Sequence, residues 1–246
     1  MNWRRRRWRE RQSTTKAGVM ARILVINPNS SAVVTAAMDR ALDPLRAADG
    51  PEIVCVTNCD GPAGIESQAD ADLAAVQTAA MVAAASAAGA DAPDAADAYV
   101  IACFSDPGLA AAREATDKPV FGIAECGVLA ALGHGAAVGV IAILSTSVAR
   151  HWRYFRSLGL DRRIAGDRPI EMGVAALSDA DGTCRRLIEV GTCLRDVDGA
   201  GALVLGCAGM AAYRGAVERA VGLPVIDPTQ AAVAMAATSL RLRAAG

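Results

Sequence analysis

The sequence predicts an α/β fold of two pseudo-symmetric lobes, each with a mostly parallel sheet flanked by helices, and a cleft between them. Three observations carry this. Apolar, β-branched runs alternate with Ala- and Leu-rich helical patterns, as parallel strands covered on both faces require. The 246 residues suffice for one large α/β domain or two smaller ones. Two stretches also echo each other. Tyr99-Val-Ile-Ala-Cys103 leads through a helix to Lys118-Pro119-Val-Phe-Gly, and Leu203-Val-Leu-Gly-Cys207 leads likewise to Leu223-Pro224-Val-Ile-Asp. Ile23-Leu-Val-Ile-Asn-Pro-Asn29-Ser30-Ser31 and Val140-Ile-Ala-Ile-Leu-Ser145-Thr146-Ser147 form a second echo, each an apolar strand entering a polar loop.

In chain order, strands are expected near Arg22–Asn27, Glu52–Thr57, Ala98–Ala102, Val120–Ile123, Ala137–Leu144, Ala202–Gly206 and Pro224–Ile226, each an apolar run closed by small or polar residues. Helices are expected near Ala32–Leu45, Gln68–Ala88, Gly108–Thr116, Cys126–Leu132, Ser147–Leu158, Thr183–Asp196, Met210–Val221 and Thr229–Arg243. The first helix has Ser30 or Ser31 as its N-cap. Asp106-Pro107-Gly108 reads as a helix cap with proline at the first turn. Arg150-His151-Trp152-Arg153 reads as a solvated or partly packed helix face, and Ala79–Ala88 as a packed one.

With 53% hydrophobic and 21% charged residues and a net charge of −1, the chain is an Ala-rich globular protein. That excludes collagen-like, disordered and strongly nucleic-acid-binding classes. The charge is uneven: residues 1–19 hold seven basic side chains against Glu10, with Trp3 and Trp8 among them. This arm lacks apolar periodicity and precedes the strand pattern after Met20, so 1–19 is expected to be a disordered basic extension. It has no apolar h-region and is not read as a secretory signal. Cys126 to Ala149 contains no Asp, Glu, Lys or Arg, but glycines and hydroxyl residues break it into a helix end, a turn and a buried strand. Seven cysteines with no C-x-x-C pair argue for reduced thiols in a cytoplasm and against a structural metal site.

No P-loop, dinucleotide-binding glycine motif, His-Glu-x-x-His or Gly-x-Ser-x-Gly run occurs. What remains is Cys103 and Cys207, each at a strand end just before a helix. A helix N-terminus favours thiolate and lowers the thiol pKa, making sulfur a usable base. Small buried cysteines also occur at sheet ends as packing alone, but the matched contexts favour a functional pair. Ligands of open α/β sheets bind beyond the carboxyl ends of strands, so facing lobes present both thiols to one cleft. The amides of Phe104, Ser105 and Ala208 can bind an enolate oxygen there. Asn27, Asn29 and the Ser30/Ser31 loop can orient a polar substrate, and Ser145, Thr146 and Ser147 occupy the matching place in the second lobe.

Ile26-Asn27-Pro28-Asn29-Ser30-Ser31, Ile101-Ala-Cys103-Phe104-Ser105-Asp106-Pro107-Gly108-Leu109, Gly122-Ile-Ala-Glu125, Val204-Leu-Gly-Cys207-Ala-Gly209-Met210 and Pro224-Val-Ile-Asp227 resemble the hydantoin and allantoin racemases of the aspartate/glutamate racemase superfamily. The resemblance spans nearly everything from Met20 onward. It implies two α/β lobes around a cleft, no cofactor, and Cys103 and Cys207 as the acid/base pair. It also implies substrate contacts from Asn29, Phe104, Ser105, Ser145, Thr146, Gly206 and Ala208. The lobes are expected to comprise 20–118 plus 225–246, and 119–224.

The expected activity is racemisation or epimerisation of a hydantoin-like cyclic ureide, a 5-substituted hydantoin or allantoin. An aspartate/glutamate-type racemase would need a cation for the side-chain carboxylate, and Arg150 and Arg153 are the nearby candidates. The same fold also accommodates a cysteine-dependent decarboxylase or a non-catalytic small-molecule-binding protein. The expected partner is a small-molecule substrate, with neither nucleic acid nor membrane, in a cytoplasmic homo-oligomer.

Overall fold

In the computed structural model, which describes residues 20–88 and 95–245, each sheet is built outward from its own first strand. β1 (Arg22–Asn27) pairs in parallel with β2 (Glu52–Thr57) on one side and β3 (Ala98–Ile101) on the other, and β4 (Val120–Gly122) joins β3. β5 (Val138–Ala142) repeats the plan, pairing with β6 (Ile164–Pro169) and β7 (Ala202–Leu205), and β8 (Val225–Ile226) joins β7. The orders β2-β1-β3-β4 and β6-β5-β7-β8 are the same order, shifted by four strands. The sequence echoes therefore mark equivalent places in two sheets of one design. The basic segment 1–19 lies outside the described residues.

Eight α-helices are described: α1 (Ala32–Ala41), α2 (Gln68–Ala87), α3 (Leu109–Ala115), α4 (Ile123–Ala131), α5 (Ser145–Ser157), α6 (Ala180–Asp196), α7 (Arg214–Val221) and α8 (Pro228–Ala244). Their starts follow local chemistry. Ser31 Oγ accepts the Val34 N–H, Ser67 and Asp70 form a reciprocal capping box, and Asp179 and Asp227 cap α6 and α8. Helix α1 stops at Ala41, short of the expected Leu45, and a 3-10 turn over Asp43–Leu45 follows, because Pro44 has no N–H to extend the ladder.

Successive side chains on each strand enter opposite cores. Ile23 and Val25 of β1 pack with Ala232, Val233 and Ala236 of α8, whereas Leu24 and Ile26 pack with Val82 of α2 and Leu109 of α3. In the second sheet Ile141, Leu203 and Leu205 face Leu187 and Leu194 of α6. Val138, Val140 and Val204 face Val128 of α4 and Phe155 of α5. Burial on both faces explains why β3, β5 and β7 read as unbroken apolar runs.

Strand β6 was not expected. Its sequence, Ile-Ala-Gly-Asp-Arg-Pro, carries strand-poor residues, and it lies at the sheet edge beside a register shift at Val138/Gly139, where such residues are tolerated. The lobe borders also differ from expectation. Val120–Gly122 belongs to the first sheet and Val225–Ile226 to the second, while α8, which follows β8, returns to cover the first. The chain thus crosses after β4 and again after β8, because each lobe completes its fourth strand before leaving. The charge-free stretch 126–149 resolves into the end of α4, a turn, β5 and the start of α5. No helix among the described residues is long and apolar enough to cross a membrane.

Candidate active site

Ile101 of β3 lies opposite Ile26 of β1, and Leu205 of β7 lies opposite Ile141 of β5. Cys103 and Cys207 each sit two residues beyond those positions, so strand register alone places them at equivalent points of the two sheets. The turns are pinned alike: the Ala102 N–H donates to the Ile26 carbonyl at 2.8 Å, and the Gly206 N–H to the Ile141 carbonyl at 2.8 Å. A Cβ at Gly206 would lie 2.6 Å from that same carbonyl, so glycine is required for the close approach.

Both cysteines line one cleft, with an empty volume of about 450 Å³ that is partly open to solvent. Asn29, Phe104 and Ser105 line it from the first lobe, and Gly206 and Ala208 from the second. Ser145 and Thr146 do not. Thr146 Oγ1 donates instead to the Glu66 carbonyl at 3.1 Å, and the Ser145 N–H points to Glu171 Oε2 at 3.4 Å. Helix α5 begins at Ser145, earlier than expected, so the hydroxyl that reaches the cleft is that of Ser147. At the rim the Val174 N–H donates to Glu66 Oε1 at 2.8 Å, and Arg153 Nη2 donates to Gln68 Oε1 at 2.7 Å. These bonds and that of Thr146 tie the loop before α2 and its first residue to the second lobe.

Asn29 is held in one orientation. Its Oδ1 accepts from Asn27 Nδ2 at 3.0 Å and from the Ser31 N–H at 2.9 Å, and its own N–H donates to Asn27 Oδ1. Because the Ser31 amide can only donate, the oxygen must face it, which leaves the Asn29 side-chain NH₂ to donate into the cleft.

The thiol electrostatics differ from the expectation of lowered pKa values. Burial pushes Cys103 up to about 12 and Cys207 up to about 11, outweighing the lowering from the Ser105 N–H at Cys103 and the Gly209 N–H at Cys207. The helix effect is weak for a geometric reason. Helix α3 starts at Leu109, well beyond Cys103, and Cys207 precedes only a 3-10 segment, Ala208–Tyr213. The two amides favour thiolate, and at Cys103 the Arg150 guanidinium does so as well.

Asp106 is a cap, but not of the helix that follows it. With φ of 43°, it turns its carboxylate onto the start of α4, accepting the Ala124 and Glu125 N–H groups at 2.9 Å each and the Tyr154 hydroxyl at 2.8 Å. Burial raises this carboxyl to about 7 against the lowering from those donors. Gly122 makes room for it, since a Cβ there would lie 2.2 Å from the carboxylate. Asp106→Ala leaves three donors unsatisfied and is expected to cost about 2–4 kcal/mol. The check is urea unfolding with an unchanged m-value, and a loss under about 0.5 kcal/mol, typical of a neutral surface change, would contradict this role.

Arg150 and His151, expected on a solvated or partly packed face, are 8% and 3% exposed and line the cleft. His151 Nδ1 lies 2.9 Å from Asp167 Oδ2, and the Phe104 ring packs edge-on against the imidazole. The signal was present in the spacing: Ser147, Arg150, His151 and Phe155 are the buried positions of α5 and share one helix face. Arg153 and Arg156 obscured it by charging the opposite face.

A family model described as Asp/Glu/Hydantoin racemase matches residues 23–236. The chain belongs to that family. A curated relative, the hydantoin racemase of Paenarthrobacter aurescens, is 36% identical over 222 residues, covering 90% of this chain and 92% of its own. Among solved structures, the allantoin racemase from Klebsiella pneumoniae is 33% identical, with a TM-score of 0.80 over 90% of this chain and 88% of its own. The allantoin racemase from Pseudomonas fluorescens is 28% identical, with a TM-score of 0.83 over 90% of this chain and 91% of its own. Family membership extends across both lobes, so the paired cysteine turns lie within the matched region.

Proposed function

We propose that this protein is a cofactor-independent racemase of hydantoin-like cyclic ureides, with Cys103 and Cys207 as its two acid/base groups. One observation supports this most directly: strand register brings two cysteines, one from each lobe, to equivalent turns lining one cleft. The names of the relatives support a ring ureide as substrate.

The chemistry needs one thiolate and one thiol at opposite faces of the stereocentre. The thiolate takes the proton from the ring carbon beside the carbonyl, and the C–H electron pair moves into an enolate. The opposite thiol then gives its proton to the other face. The cysteines finish with their protonation states exchanged, ready for the reverse direction. The enolate oxygen is met by backbone N–H groups of the Cys103 and Cys207 turns, with Asn29 Nδ2 donating to a ring carbonyl. Ser145 and Thr146 act indirectly, through the rim contacts of α5. The protein acts on its small-molecule substrate in the cytoplasm, as a homo-oligomer.

The test is proton NMR of single enantiomers of allantoin and 5-substituted hydantoins in D₂O, with polarimetry alongside. Deuterium entry at the stereocentre with loss of rotation is the expected result. Folded, reduced protein that leaves every ring unexchanged would overturn the reading.

A further inference from the structure

Arg150 is the unusual charge in the cleft. Its side chain belongs to a residue only 8% exposed, yet no carboxylate among the described residues lies within salt-bridge distance of it. Its protein partners are two neutral hydroxyls, Ser105 Oγ at 3.2 Å from Nε and Ser147 Oγ at 3.3 Å from Nη2. The acids nearby are engaged elsewhere: Asp70 in the Ser67 capping box, Asp106 at the start of α4, Asp167 with His151, and Glu66 with the Val174 N–H. By contrast, Arg22, Arg46, Arg113, Arg168 and Arg186 each hold a carboxylate. Cys103 and Asp70 attract Arg150 electrostatically without touching it as an ion pair, burial outweighs them, and a desolvated guanidinium with no carboxylate in contact is costly unless something supplied later completes it.

The two serines fix the plane of the guanidinium and use one edge of it. Nη1 has no acceptor among the described residues, and the Nη1/Nη2 edge keeps a parallel pair of N–H bonds, the fork that matches a carboxylate. The ring carbonyls already have donors in Asn29 and the backbone amides. The guanidinium is therefore left for a second group on the substrate.

We infer that Arg150 is a specificity-determining anion receptor, and that the preferred substrate is a ring ureide whose C5 substituent ends in a carboxylate. This rests on the racemase reading for the ring and adds the substituent. Arg153, the other candidate cation, reaches Gln68 at the rim and takes no part.

The test compares single enantiomers of 5-(2-carboxyethyl)hydantoin with those of the neutral isostere 5-(2-carbamoylethyl)hydantoin. Both solvent-deuterium exchange and binding by calorimetry are measured. A hydrogen-bonded charge pair corresponds to a preference of about 10- to 100-fold in kcat/KM and in Kd for the carboxylate in the native protein. Arg150→Met is expected to erase that preference by costing the carboxylate ring about 10- to 100-fold more than the carboxamide ring, while Arg150→Lys keeps part of it. Equal handling of the two rings by the native protein overturns the inference, whether or not Arg150→Met folds. An equal loss for both rings in Arg150→Met also overturns it and assigns the guanidinium to the thiolate or enolate. Exchange of both rings without preference leaves the racemase reading standing. Preferential binding without exchange of any ring leaves the anion receptor standing and removes the racemase reading.

Discussion

Under the two-base proposal, Cys103→Ala and Cys207→Ala are each expected to lower the racemisation rate by about 10³-fold or more, since each then lacks one of the two proton-transfer groups and such groups contribute about 10²–10⁴. The large loss follows from the geometry. Each thiol comes from its own lobe, so neither can serve the opposite face of a bound ring. The double variant is expected to lose little beyond either single one, because the two act as a unit and their effects do not add. Alanine suits both sites sterically, as the cleft side of each cysteine is open. Intact far-UV circular dichroism together with lost optical inversion is the expected pair of readings. Inversion within tenfold of the native rate in either variant would contradict the two-base assignment.

The second large effect is with pH. With Cys207 raised to about 11 and Cys103 to about 12 by burial, the free enzyme holds mostly two thiols near neutrality. The competent form carries one proton on the pair, and its fraction grows about tenfold per pH unit until the first macroscopic pKa of the pair is reached. kcat/KM is therefore expected to climb with a slope near one from pH 7 to 9, and alkylation of both thiols by iodoacetamide is expected to climb in parallel. A plateau reached by pH 8 would show that the cleft holds a thiolate despite burial. Stability has the opposite sign. An unfolded thiol ionises near 8.5, whereas these two, with Cys55 and Cys126 also raised to about 12, stay protonated when folded. Their contribution is full below that unfolded value and is lost as pH rises toward 11–12. Activity and resistance to urea should thus diverge between pH 8.5 and 10.

Much of this design was legible in the chain. Buried parallel strands show themselves as apolar runs, and the repeated strand–cysteine–helix–proline stretches announced two sheets of one plan. Strand β6 was hidden because an edge position tolerates Gly, Asp and Pro, and the pattern that reveals central strands is absent from it. The crossing points fall a few residues from their expected places because each fourth strand is short, and strand pairing rather than composition decides which sheet it joins. At the site, the cysteines and Asn29 could be read from local motifs. Arg150 and His151 share the spacing of the buried face of α5, but the charges of Arg153 and Arg156 around them obscured it, and Asp106 capped a helix 18 residues away rather than its own neighbour. The thiol pKa direction departs from expectation for a related reason. Helix proximity is visible in sequence, whereas the depth of a cleft between lobes is a property of their packing.

The most direct measurement is enantiomer-resolved exchange in D₂O with the two single-cysteine variants. A lone thiol can take a proton from one face and return solvent deuterium to that same face, so exchange should occur without inversion. Cys103→Ala and Cys207→Ala are predicted to exchange opposite enantiomers, each leaving the other untouched. If both variants exchanged the same enantiomer, or either exchanged both, the two thiols would not flank the stereocentre and the two-base account would be wrong.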